Sequence, residues 1–162
     1  MIGPPDCDVR QVAVMLRTLA DVKSEPGFSP VCSDALPSAI GTYTGTLTET
    51  SYGCLNPADS GVFATSIDVD ITMQNNLGAF EGTAVASLGG FTVEVLVRGA
   101  IDGSGSIVGQ MLSEVFFNGG FDGIALALFT GSLSGNALSV DAQGFDLVGD
   151  TCSISDTIVA SR

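Results

Sequence analysis

Residues Phe121–Leu133, FDGIALALFTGSL, decide how the chain folds. The strand-like segments around this stretch alternate apolar with polar residues, as strands do when one face meets a core and the other meets water. This stretch is apolar on both parities. Phe121, Ala125, Ala127 and Phe129 share one face, and Ile124, Leu126 and Leu128 share the other. Such a strand needs cover on both sides.

Outward from that stretch, turn chemistry divides the chain. NNLG, GG, GSG, NGG, SGN and VGD separate strands expected at 40–50, 62–73, 79–88, 91–102, 106–117, 121–133, 137–147 and 151–161. Only the first connection, SYGCLNPADSG, is long. The expected fold is all-β: an eight-stranded antiparallel up-and-down β-barrel, in which closure removes exposed strand edges. One N-terminal α-helix precedes it. Asp8 and Gln11 have the spacing of a capping box, and Val9, Val12, Ala13, Leu16, Leu19 and Ala20 follow at helical spacing until Pro26-Gly27, which places the helix at 9–23. The chain thus divides into residues 1–39, a helix and Pro-rich loop, and residues 40–162, the barrel. An open sandwich is the alternative.

The 162 residues suit one domain, able to bury roughly 70% of the unfolded surface. Five basic and 18 acidic residues give 5 − 18 = −13, with no His. That charge repels phosphate, so nucleic acid and anionic membrane surfaces are poor partners, while cations are attracted, weakly at physiological salt. Mean hydropathy is high at +0.44, but no aromatic girdle accompanies it, which argues against a transmembrane barrel. Cys7, Cys32, Cys54 and Cys152 form no CxxC pair, so two disulfides are expected and a zinc site is not. Cys7 and Cys32 bracket the helix. Cys54 follows the first strand and Cys152 begins the last, so a bridge between them would staple a barrel seam. Disulfides imply an extracellular or periplasmic location. No signal peptide or lipobox is legible near Met1, and the expectation is that a signal peptide has been removed.

Hairpin turns fix register, and register fixes faces. Folding at Gly89-Gly90 pairs Ala84 with Val95 and Gly82 with Val97 inside, and Glu81 with Arg98 outside. Continued through the later turns, the same logic gives an interior lined by Phe80, Val93, Val95, Val97, Met111, Val115 and Phe129. Gly82, Ala84, Ala86, Gly109, Gly123, Ala125 and Ala127 lie between them. Small against large residues suit either a filled barrel or one holding a small apolar ligand. The exterior gathers Leu96, Leu112, Phe116, Ile124, Leu126, Leu128, Phe145 and Leu147, a contiguous apolar patch of the kind that marks an interaction surface. Self-association is the first expectation for it. Cover by the N-terminal helix is the second.

Catalytic signatures are lacking: no His is available as a base, and no G-x-S-x-G elbow occurs. Glu94 and Glu114 face each other across two strands, the one close carboxylate pair that register yields, and they read as solvated outer residues. Asp68 and Asp70 share a face, and Asp102-Gly-Ser-Gly-Ser has half the form of a calcium loop, but neither offers enough oxygen ligands for a metal. GSGSIVG opens a strand rather than a helix and so is no phosphate cradle. No cofactor is expected.

GTYTGTL at 41–47 resembles the opening strand of avidin- and lipocalin-type calycin barrels, and LGAFEGTAVA at 77–86 resembles a strand of the allene-oxide-cyclase and dirigent type. The first resemblance implies a binding barrel, without specifying its ligand because Trp is absent. The second implies a barrel that oligomerises and a possible cyclase-type activity, for which Glu94 and Glu114 would have to face inward. The function expected from the sequence is an exported, non-enzymatic barrel module that self-associates through strands four to seven. The alternatives are a binding barrel for a small apolar ligand and a cyclase-type enzyme.

Overall fold

A computed structural model of the chain describes residues 36–88, 90–146 and 152–162. Eight strands follow in order: β1 (Gly41–Tyr52), β2 (Gly61–Gln74), β3 (Ala79–Leu88), β4 (Phe91–Ile101), β5 (Ser106–Phe117), β6 (Gly120–Ser134), β7 (Ala137–Asp146) and β8 (Cys152–Ser161). Each pairs antiparallel with its sequence neighbour, and β1 pairs with β8, so the sheet is a closed up-and-down barrel. A 3-10 turn at Pro57–Asp59, capped by the Asn56 side chain, sits in the long β1–β2 connection. The expected helix at 9–23 and the expected Cys7–Cys32 bridge lie outside the described residues.

The hairpin registers agree with those expected from the turns. Ala84 faces Val95, Glu81 faces Arg98, Leu96 faces Leu112, and Leu112 faces Leu126. Two β-bulges, between Ile71 and Met73 and between Val115 and Phe116, interrupt the alternation. The second one changes the surroundings of Phe121. Phe116 becomes its partner, and the two rings meet edge-on at 6.0 Å, so Phe121 is exposed rather than continuing the Ala125–Phe129 lining. A bulge inserts one unpaired residue and reverses facing beyond it, which strict alternation does not foresee.

The seam is a ladder running from Thr44 opposite Ser161 to Tyr52 opposite Ser153. Cys54 and Cys152 are bonded at its end, closing a separation of 98 residues. The other end of the barrel is shut by residues 36–40. Tyr43, only 1% exposed, donates to the Ala39 carbonyl at 2.9 Å. Gln74 accepts from Ala39 N–H and donates to the Pro37 carbonyl. Arg162 donates to the carbonyls of Ile40 and Ser38, with its guanidinium 5.3 Å from the Tyr43 ring centre.

Gly99 and Gly109 face each other across β4 and β5, and both lie beneath the Phe129 ring. A Cβ at Gly109 would overlap that ring and the Arg98 carbonyl oxygen, so the missing side chain is what lets Phe129 lie flat within the barrel. Overpacking a tight core costs about 1–3 kcal/mol. Gly109→Ala is therefore expected to lower the unfolding free energy by about 2 kcal/mol in urea titration. A wild-type midpoint would contradict the close packing.

Candidate functional site: a cavity with an interior acid pair

The barrel encloses a cavity of about 90 Å³. All seven bulky residues expected on the interior line it, among them Val95, Met111 and Phe129, together with Ala84 and Ala125. Tyr43, Ile107, Leu133 and Leu138 wall the shut end. At the disulfide end, Phe63, Phe91 and Phe117 are exposed, although their registers continue the interior parity of β2, β4 and β5. The Phe91 and Phe117 rings stand 4.6 Å apart. Among the described residues, then, apolar rings rim one end and a packed floor closes the other.

Three carboxylates line this otherwise apolar space: Glu49 on β1, Asp146 on β7 and Asp156 on β8. Glu49 and Asp156 are direct partners across the seam. Asp156 is 8% exposed, and its Oδ1 has no hydrogen-bond partner among the described residues. Glu49 accepts from Ser51 Oγ at 3.0 Å. Burial, reinforced by the neighbouring Glu49 charge, pushes the Asp156 carboxyl up to about 7. Burial also raises Glu49, against the Ser51 hydrogen bond and with the help of Asp146. Among the described residues, no Lys or Arg lines the cavity. A buried acid close to a second acid keeps its proton until near-neutral pH; while protonated it can donate a hydrogen bond, and once ionised it can bind a cation.

The carboxylates singled out from the sequence do other work. Glu94 and Glu114 are paired on the outer face and exposed, as expected. That placement removes the condition on which the cyclase-type reading depended. Arg98 is ion-paired with Glu81 at 2.9 Å. Asp68 and Asp70 accept hydrogen bonds from Thr44 and Thr42 across the β1–β2 ladder. Asp102 folds its own turn, accepting from Ser104 and Ser106 backbone N–H groups. Among the described residues no group of three or more His, Cys, Asp or Glu could hold a metal ion.

A signal for the interior pair does exist in the sequence. Along β8 the inward parity reads Cys152, Ile154, Asp156, Ile158, Ala160, which places one acid in the middle of an apolar row. Glu49 continues the Tyr43–Leu47 parity of β1 in the same way. The β1–β8 register that unites them is set by no hairpin turn, and so cannot be counted from one.

The outer face of β5–β7 carries the apolar patch. Leu112, Ile124, Leu126, Leu128 and Phe145 are exposed, at 51% for Leu126 and 66% for Leu128, while Leu96 and Phe116 are half-buried. Leu147 lies outside the described residues. No helix among the described residues is long and apolar enough to cross a membrane. No protein-family model, curated protein or solved structure was found to match the chain.

The raised Asp156 carboxyl ties stability to pH. An unfolded aspartate titrates near 4, so between about pH 4 and pH 7 the folded barrel holds a proton that the unfolded chain has released. That contribution is complete below the unfolded value and is lost as pH rises through about 7. Asp156→Asn, which cannot ionise, is expected to be more stable than wild type at about pH 8 by on the order of 3 kcal/mol, with the difference shrinking toward pH 5. Denaturant titrations of the two proteins across that range check this; a pH-independent difference would show that Asp156 does not ionise at a cost.

Proposed function

We propose that the protein is a binding barrel that carries a compact apolar ligand in its interior. The observation that carries this reading is the cavity of about 90 Å³, walled by valine, methionine and phenylalanine, with a packed floor at one end and exposed Phe rings at the other. An eight-stranded barrel is just wide enough to be filled by side chains or to hold one small molecule. Here the glycine and alanine positions leave the space. The reading makes the molecule functionally akin to calycin-type barrels rather than to the cyclase or dirigent type, because the interior acids sit beside a cavity and the Glu94–Glu114 pair is outside it. The Cys54–Cys152 disulfide supports work in an extracellular or periplasmic setting. The charge of −13 argues against nucleic-acid partners.

Self-association through the outer face of β4–β7 is a second reading. What favours it is that Leu112, Leu126 and Phe145 are consecutive register partners and all exposed, so the patch is continuous across three strands. The two readings are compatible, since one uses the inside of the barrel and the other the outside.

Hexan-1-ol serves as a neutral probe of the interior. Isothermal titration is expected to show one site in the wild type, and Ala125→Phe, which fills the cavity, is expected to weaken it about tenfold or more; equal affinity in both would place the binding elsewhere. For the outer face, light scattering is expected to give a dimer or larger, and Leu126→Asp a monomer. A wild-type monomer at high concentration would end that reading.

A further inference from the structure

We infer that the cavity selects ligands bearing a protonated amine, which the inward-facing Asp156 and Glu49 carboxylates grip while the apolar walls take the ligand's body. This inference deepens the binding-barrel reading and rests on it. Three observations converge. Asp156 is more than nine-tenths buried, lines the cavity, and leaves Oδ1 without a hydrogen-bond partner among the described residues. A buried acceptor left unmade is costly, and a donor on the ligand would remove that cost. Glu49 stands next to it across the seam, so the two acids place negative charge at one point on the wall. Among the described residues no Lys or Arg lines the cavity, so a ligand cation would meet these carboxylates without a competing basic side chain among them.

An organic cation fits better than a metal ion. Hard cations such as calcium take six to eight oxygen ligands, and no group of three or more acidic, His or Cys side chains among the described residues could supply a metal site. An ammonium needs only two or three acceptors, and charge-assisted hydrogen bonds to carboxylates are about twice as strong as neutral ones. The apolar body is compact: the cavity is smaller than the roughly 150 Å³ site that holds a benzene molecule in an engineered protein. A longer chain would run out past Phe63, Phe91 and Phe117. The protein's negative charge also draws cations toward it.

The groups that set the pH dependence are Asp156 itself on β8, Glu49 from β1 and Asp146 from β7; β5 presents only the neutral Ser113 among its polar lining residues. Amine affinity therefore rises as pH passes upward through the range in which Asp156 loses its proton.

Isothermal titration of the full chain with hexylamine, hexan-1-ol, hexanoate and calcium chloride tests the assignment. At about pH 8 the wild type is expected to bind hexylamine about tenfold or more tighter than hexan-1-ol, and hexanoate more weakly than either. The amine-to-alcohol ratio is expected to fall toward one at about pH 5, and at pH 8 in both Asp156→Asn and Glu49→Gln. Two variants are used so that poor folding of one leaves the other informative. Hexan-1-ol bound without any preference for the amine would overturn the head-group assignment alone. Failure of both hexan-1-ol and hexylamine to bind would overturn the binding-barrel reading beneath it. Calcium binding tighter than the amine and lost in Asp156→Asn would replace the organic cation with a metal.

Discussion

The β1–β8 pairing is the constraint on which everything else depends. No turn joins those strands; a continuous ladder and the Cys54–Cys152 bond hold them together. With the seam open, β1 and β8 would be edge strands presenting unpaired backbone groups. With it closed, one face of every strand becomes interior, and the glycines and alanines of β3–β6 face the bulky residues across it. Closure also brings Glu49 beside Asp156. The acid pair is thus a product of the topology rather than of any local motif.

That pair works against stability. Asp156 holds its proton to about pH 7 because ionising it inside the barrel is unfavourable, and an Asn or an apolar residue would fit the same row without that penalty. The rest of the interior follows ordinary packing logic: Phe80 and Phe129 lie over Gly99, and Tyr43 bonds to the Ala39 carbonyl at the shut end. A group that breaks the local rule without a structural return marks the place where function is expected. By contrast, Asp68, Asp70 and Asp102 each return hydrogen bonds to the fold.

Much of the architecture was legible because tight turns set register by counting. The Gly89-Gly90 turn alone places Ala84 against Val95 and Glu81 against Arg98, and the double apolarity of Phe121–Leu133 correctly assigns one parity to the interior and Leu126 and Leu128 to the exterior. Counting fails where no turn exists. The seam register, and with it the Glu49–Asp156 partnership, depends on barrel shear, which no single hairpin reveals. It also fails at bulges, which is why Phe121 leaves the lining. The interior acids were present in the sequence as lone polar residues on apolar parities, but their proximity is a long-range fact. Glu94 and Glu114, joined by a short hairpin, were the pair that local reasoning could see.

Asp156 is buried in the barrel wall next to Glu49 and faces the cavity. Carbon-detected NMR titration of the side-chain carboxyls in the ligand-free protein tests this placement most directly. The Asp156 carboxyl is expected to titrate with a midpoint near 7, while the Glu49 resonance responds to the same ionisation. An Asp156 midpoint near 4, the value of a solvated aspartate, with no coupled response at Glu49, would contradict it.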